Sequence, residues 1–241
     1  MGALYEQGRP EYAPDAVAYL LQRLGVARGG SAKTVVDLAA GTGKFTRALI
    51  AAGVAPTAIE PVEHMRDTLR EHTPGVTALD GTAESIPLPD ASADAVVVAQ
   101  AFHWFDGPAA LREIRRVLKP VGGLGLVWNG QDRTIDWVDG IWTEVDARRD
   151  DTPSAWSYRW RDAFSPEAGF SPLLSTTFRQ DHVTDRDGLV ARVTSISFIA
   201  RGPQSERDFL DAHIRRVCDD AGLPERFALP YNCFVHWCRS V

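Results

Sequence analysis

Short, nearly unbroken apolar runs alternate along the first half of the chain with segments whose apolar residues return at helical spacing. Val35–Leu38, Ala55–Ile59, Val76–Leu79, Ala93–Ala99 and Leu124–Trp128 are the runs and predict strands, and the continuous apolar character of Ala93–Ala99 suits a strand buried on both faces. Between them, Val17, Leu20, Leu21 and Leu24 mark a helix that Asp15 is placed to cap. Phe45, Ala48, Leu49 and Ala52 mark a second, closed by Gly53. Val62 to His72 predicts a third with Met65 and Leu69 inward, and Pro108 to Leu118 a fourth through Leu111, Ile114, Val117 and Leu118. Arg112, Arg115 and Arg116 are left on its wet face.

The second half is less regular. Ile141, Trp142 and Val145 predict a helix, Thr176–Val183 a strand, and Leu189, Val190 and Val193 a helix begun by Asp185. A longer helix runs from Pro203 to Ala221, ended by Gly222 and Pro224, and Phe234–Trp237 predicts a last strand. Trp156, Tyr158 and Trp160 alternate with Ser157, Arg159 and Arg161, a pattern that suits either an edge strand or an aromatic pocket wall. Ahead of the first helix, Tyr5 to Pro14 is an arm: Tyr5 and Arg9 either tie it down or form a flap whose arginine pairs with a carboxylate.

The chemistry concentrates where the first strand ends. Asp37-Leu38-Ala39-Ala40-Gly41-Thr42-Gly43 carries an apolar strand through an acid and a two-glycine turn into a helix. Such a turn lets backbone N–H groups approach a ligand at a positive helix end, which marks a nucleotide cradle. A dinucleotide fingerprint needs a third glycine where this chain has Thr46, so a nicotinamide site is disfavoured. Glu60 closes the second run about twenty residues past Gly41, where an acid that binds ribose is expected.

Asp37 to Gly43 followed by Glu60 resembles motif I and its acidic follower in the class I S-adenosylmethionine-dependent methyltransferases. Asp80-Gly81-Thr82-Ala83-Glu84-Ser85-Ile86-Pro87 resembles that family's adenine-side loop, and Arg116-Val117-Leu118-Lys119-Pro120-Val121-Gly122-Gly123 its turn before strand five. Tyr5 to Tyr12 and Ala99 to Phe105 are similar to the small-molecule branch, of the methyltransferase type 11 and trans-aconitate methyltransferase kind. Ala39 departs from the family, which usually has glycine there.

The resemblance implies a doubly wound, seven-stranded, mostly parallel sheet, the Rossmann-like methyltransferase fold, with an antiparallel last strand between strands five and six and helical cap insertions. It implies S-adenosyl-L-methionine as methyl donor, leaving S-adenosyl-L-homocysteine. The donor would be held by Tyr5, Arg9, Asp37, Ala39, Gly41, Thr42, Gly43, Glu60, Pro61, Met65, Thr82, Ala83, Gln100 and Ala101. His103 and Trp104 would face the acceptor, a small molecule methylated at oxygen, nitrogen or carbon. His103 is either a general base or a positioner, and the bland reading of each is a backbone-bonded histidine and a core aromatic. The alternatives are a degenerate protein that binds the cofactor or a partner without catalysis and, more remotely, a nicotinamide-dependent reductase.

Composition narrows the rest. With 241 residues, of which 44% are hydrophobic, one sizeable core is expected. The expected plan is one domain, with the arm and first helix in 1–30, the cofactor-binding core in 31–130, and strands with substrate-cap helices in 131–241. A net charge of −6 argues against a nucleic-acid partner. No apolar run is long enough to cross a bilayer and the first residues lack a signal-peptide pattern, so a cytoplasmic protein is expected. Cys218, Cys233 and Cys238 lack metal or disulfide spacing and read as free thiols, with Cys233 and Cys238 on opposite faces of one strand. Oligomeric state is open.

Overall fold

The computed structural model describes residues 10–27 and 33–241; the expected arm residues Tyr5 and Arg9 lie outside the described residues. In chain order the elements are α1 (Pro14–Arg23), β1 (Val35–Leu38), α2 (Lys44–Ala51), β2 (Pro56–Ile59), α3 (Glu63–His72), β3 (Ala78–Leu79), β4 (Ala93–Ala99), α4 (Gly107–Val117), β5 (Leu118–Gln131), α5 (Asp136–Asp146), β6 (Leu174–Asp185), α6 (Arg186–Thr194), α7 (Ser197–Arg201), α8 (Gln204–Asp220) and β7 (Arg226–Arg239). The strands form a seven-stranded sheet in the order β3-β2-β1-β4-β5-β7-β6. β1, β2, β3, β4 and β5 pair in parallel, and the last strands are antiparallel. This is the expected α/β architecture, with β7 slotted between β5 and β6.

Two compact units divide the chain. The larger takes Glu11–Asn129, Pro153–Phe178 and Cys233–Val241. Its strands distribute their side chains between two faces at a period of two. Val36, Leu38, Val96, Val98, Leu124, Leu126 and Trp128 join the cluster under α4, while Val35, Ala95, Val97 and Val127 join Leu20, Leu24, Phe45 and Leu49 of α1 and α2. Burial on both faces is why these runs show no polar alternation. Cys238 belongs to the first cluster and Cys233 to the second, and burial pushes both thiols up to about 12.

The smaller unit, described over Pro10, Gly130–Thr152 and Arg179–Asn232, has its own core. Val138, Ile141 and Val145 of α5 meet Leu189 and Val193 of α6, Leu210 and Ile214 of α8, and Leu229 and Tyr231 of β7. Asp185 caps α6 by accepting from the Gly188 amide at 2.8 Å. Arg186 closes the far end of α8, donating to Asp219 and to the carbonyls of Leu223 and Pro224.

Two local expectations change. Asp15 is not the cap of α1: the helix starts at Pro14 behind Ala13, with no side-chain cap, and Asp15 sits in the first turn where its charge still favours the dipole. Arg116 is not on an idle wet face. It donates to the carbonyls of Leu88 and Ile86, each at 2.8 Å, and pairs with Asp90 and Glu113. Glu113 in turn accepts from the Ile86 amide at 3.0 Å. One planar guanidinium thus gathers the loop between β3 and β4 onto α4. Arg116→Ala is expected to lower unfolding free energy by about 1–3 kcal/mol, read as a fall in the urea midpoint. Lysine should restore only part of it, because a single ammonium cannot reproduce the fork.

Candidate functional site

The site is built at the carboxyl ends of β1, β2 and β4, the position at which open α/β sheets take ligands. After Leu38 the backbone turns through Ala39 and Gly41 in the left-handed region, at φ 58° for each, and reaches Gly43 at φ 84° as the N-cap of α2. Gly43 is doubly constrained: a Cβ there would also stand 2.9 Å from Leu69 Cγ. A Cβ on Gly41 would meet nothing within 4 Å, so the turn presents open space at that residue. Ala39 holds its strained conformation with a methyl group that a glycine would lack, which explains why glycine suits this position. Gln100, at the end of the neighbouring β4, is left-handed too at φ 59°. Strain at the ends of two paired strands is a mark of a functional site.

Asp37 lies within β1, fully buried, on the face that meets α2. Thr46 Oγ1 donates to its Oδ2 at 2.6 Å, while its Oδ1 is buried with no partner among the described residues. Burial raises the carboxyl to about 7; the Thr46 bond opposes this and the nearby Glu60 charge adds to it. Thr46, which stands where a dinucleotide site has its third glycine, is therefore the polar partner of the acid.

Glu60 is also buried. Its Oε2 accepts from the Gly41 amide at 2.9 Å and its Oε1 from the Val62 amide at 3.0 Å, so one carboxylate fixes the glycine turn against the end of β2. Two oxygens carry about four acceptor sites, and the two amides leave capacity for a diol. Arg66 holds the Glu60 carbonyl at 2.7 Å and pairs with Asp80. Pro61 is exposed and Met65 half-buried at the start of α3, beside this turn in sequence.

Past β3, Thr82 is exposed and pairs with Ser85 in a tight bridge, while Ala83 is buried in the core cluster. Glu84 Oε1 accepts from the Asp106 amide at 3.1 Å and so braces the loop. At the end of β4, the Gln100 amide donates to the Asn129 carbonyl at 3.2 Å and Ala101 is half-buried. Asn129 donates to the Glu11 carbonyl at 3.0 Å, and its Oδ1 is a second buried acceptor without a partner among the described residues. As the end of a predicted strand it gave no sequence signal for this.

Phe102–Trp104 form a 3-10 turn. Trp104 is 55% exposed, which removes the reading of it as core. Trp128 Nε1 donates to His103 Nδ1 at 3.2 Å. An indole can only donate, so a neutral His103 ring carries its proton on Nε2. It is thereby prepared to give a hydrogen bond from Nε2 rather than to receive a proton there.

Trp156, Tyr158 and Trp160 are not on a strand. They sit in consecutive 3-10 turns, Ala155–Ser157 and Arg159–Ala163, separated by Tyr158 at φ 56°. With Trp128, Phe234 and His236 they wall a cavity of about 120 Å³. Arg161 Nη2 approaches His236 Nδ1 at 3.4 Å, and burial together with that cation holds His236 down at about 4, neutral near pH 7.

A strand order with β7 between β5 and β6, behind a strand–glycine turn–helix, defines a Rossmann-like methyltransferase fold. The methyltransferase domain family matches residues 36–126. An uncharacterised methyltransferase-like protein of Schizosaccharomyces pombe is 36% identical over 214 residues, 88% of this chain and 82% of that protein. The chain belongs to the class I S-adenosylmethionine-dependent methyltransferase family. An uncharacterised methyltransferase of Mycobacterium tuberculosis is 49% identical over 134 residues, 56% of this chain and 52% of that protein. The chain thus spans about half the length of the mycobacterial relatives it matches. Malonyl-[acyl-carrier protein] O-methyltransferase of Erwinia pyrifoliae is 36% identical over 120 residues, 49% of this chain and 45% of that protein. Among solved structures, a candidate type II methyltransferase from Anaeromyxobacter dehalogenans matches with a TM-score of 0.69 at 23% identity, covering 96% of this chain and 97% of that one. The [4+2]-cyclase SpnF matches at 0.52 with 17% identity, covering 94% and 80%, so likeness at this level speaks for the fold alone.

Because burial raises the Asp37 pKa from 3.8 to about 7, the native state binds the extra proton between those values. Its contribution to stability is full below the lower value and is lost as pH rises through the upper one. The urea midpoint of Asp37→Asn relative to wild type should therefore climb from pH 4 to pH 7.5, and a flat difference would contradict a buried, neutralised acid. Ala39→Gly should raise stability by up to about 1 kcal/mol in the same assay; a loss would mean the methyl group makes a contact outweighing its strain.

Proposed function

We propose that this protein is an S-adenosyl-L-methionine-dependent methyltransferase that moves the methyl group in line to a small molecule. The observation that carries this reading is the pair of buried carboxyl groups at the glycine turn: Asp37, one of whose oxygens has no partner among the described residues, and Glu60 tying the open Gly41 turn to β2. When bound, the donor supplies an electrophilic methyl group on a sulfonium, so the protein need supply neither nucleophile nor metal.

Each residue then has a physical task. The backbone from Ala39 through Thr42 to Gly43 cradles the methionyl side of the donor, with Asp37 beneath it as an acceptor. Glu60 uses its remaining acceptor sites for the ribose, flanked by Pro61 and Met65. Exposed Thr82, together with the backbone of the buried Ala83, offers the small, half-polar edge that suits an adenine. Gln100 and Ala101 border the crevice at the end of β4. Trp104, being exposed, shields the reacting centre from water. His103 donates from Nε2 and orients the acceptor instead of deprotonating it, which suits an oxygen that is already ionised. The similarity to an O-methyltransferase over half of the chain supports that acceptor type.

Calorimetry with S-adenosyl-L-homocysteine tests the donor site. Glu60→Ala should weaken binding about tenfold or more, as expected for loss of hydrogen bonds to a charged group. His103→Ala should leave it within about twofold, because that side chain is assigned to the acceptor. Absence of binding to the wild-type chain, or an unchanged affinity in Glu60→Ala, would defeat the proposal.

A further inference from the structure

We infer that the aromatic cavity of the larger unit binds a small aromatic carboxylate, with the ring against its aromatic lining and the carboxylate on Arg161. That the occupant is the methyl acceptor rests on the donor-site reading above; the binding itself does not.

Size and wall chemistry set the ring. The cavity measures about 120 Å³, and a cavity of ~150 Å³ is known to accommodate benzene, so one six-membered ring fills it. Trp128 packs on Trp160 with ring centroids 4.5 Å apart and Trp156 on Phe234 at 5.2 Å, and both contacting pairs line the cavity. Aromatic faces and edges on more than one side favour a flat π-system over a branched aliphatic chain. Trp156 and Tyr158 remain 41% and 48% exposed. Large aromatics kept open beside a cavity, one of them on left-handed backbone, are a binding feature rather than a folding one.

Charge sets the carboxylate. Arg161 has no carboxylate partner among the described residues, in a chain whose net charge is −6. Its bonds are one contact to His236 Nδ1 and the ring faces of Tyr158 and Trp160, with Cζ 5.4 and 5.2 Å from their centroids. Stacking holds the guanidinium plane and leaves most of its five donors unused. His236 accepts through Nδ1, so its own proton is on Nε2, and the neutral imidazole brings no competing charge. The hydroxyls of Ser175, Thr176 and Thr177 line the same cavity. A cationic ligand would be repelled by Arg161, and a neutral ring would leave its donors to solvent.

The test is a titration of the full chain with benzoate, benzyl alcohol and acetate, followed by calorimetry and by the quenching of tryptophan fluorescence. Benzoate should saturate at least tenfold tighter than either benzyl alcohol, which has the ring without the charge, or acetate, which has the charge without the ring. Arg161→Met should abolish the preference over benzyl alcohol, and Trp156→Ala should weaken benzoate at least fivefold. Both side chains are exposed, so neither change threatens the core. Glu60→Ala should weaken S-adenosyl-L-homocysteine and leave benzoate untouched. Benzoate bound no better than benzyl alcohol or acetate, or a preference that survives in Arg161→Met, overturns the inference while leaving the donor site standing. Benzoate bound by a chain that does not bind S-adenosyl-L-homocysteine upholds the cavity and removes the methyl-transfer reading.

Discussion

The turn at the end of β1 depends on a carboxyl group placed where a sheet protein can least tolerate one. Asp37 is fully buried on the face of β1 that packs against α2. Removing an ionised carboxylate from water costs several kcal/mol unless it is paired, and only one of its oxygens has a partner among the described residues. That partner comes from the first turn of the helix the loop leads into, so the bond is also a tether: strand end, glycine turn and helix start are held to one geometry by Thr46. Glu60 does the same from the other side, through the amides of Gly41 and Val62. Between them two acids fix a loop whose own sequence, with its two glycines, would otherwise be soft.

Much of this was legible from local pattern. The strands were visible because burial on both faces leaves no polar alternation, and the glycine turn because its residues are the ones a left-handed backbone selects. Glu60 was visible through its spacing. The meaning of Thr46 was hidden: spacing identifies a missing glycine, whereas the reason for a threonine lies across the turn, in Asp37. Arg116 was misread for a related reason. Helical periodicity assigns a residue to a face, but the Ile86–Asp90 loop that lies against that face comes from elsewhere in the chain. The alternation of Trp156, Tyr158 and Trp160 is the opposite case, a period-two signal produced by consecutive 3-10 turns broken at Tyr158. A left-handed tyrosine leaves no trace in a hydrophobicity pattern.

The odd alanine at position 39 acquires a physical sense in the same frame. Ala39 and Gln100 end two strands that pair in parallel, and both adopt left-handed backbone. For residues with a Cβ this conformation costs on the order of 1–2 kcal/mol, so the surrounding contacts must impose it. Gln100 is held by its amide N–H on the Val127 carbonyl and its side chain on Asn129, Ala40 by its N–H on Ile59. Both strands therefore turn sharply at their ends while the sheet beneath stays regular, and this opens the crevice. Glycine at 39 would reach the same shape at lower cost.

Trp128 joins the two halves of the chemistry within the larger unit. Its indole N–H fixes the tautomer of His103 at the end of β4, and its ring stands against Trp160 and His236 in the aromatic cavity. The two histidines beside it are set in the same way, each by a donor at Nδ1 that leaves the proton on Nε2. A side chain buried this thoroughly cannot shift without disturbing both neighbours. An occupant of the cavity would therefore touch a ring whose other edge already orients His103, and orientation of that kind, rather than acid–base strength, is what an in-line displacement requires of the protein.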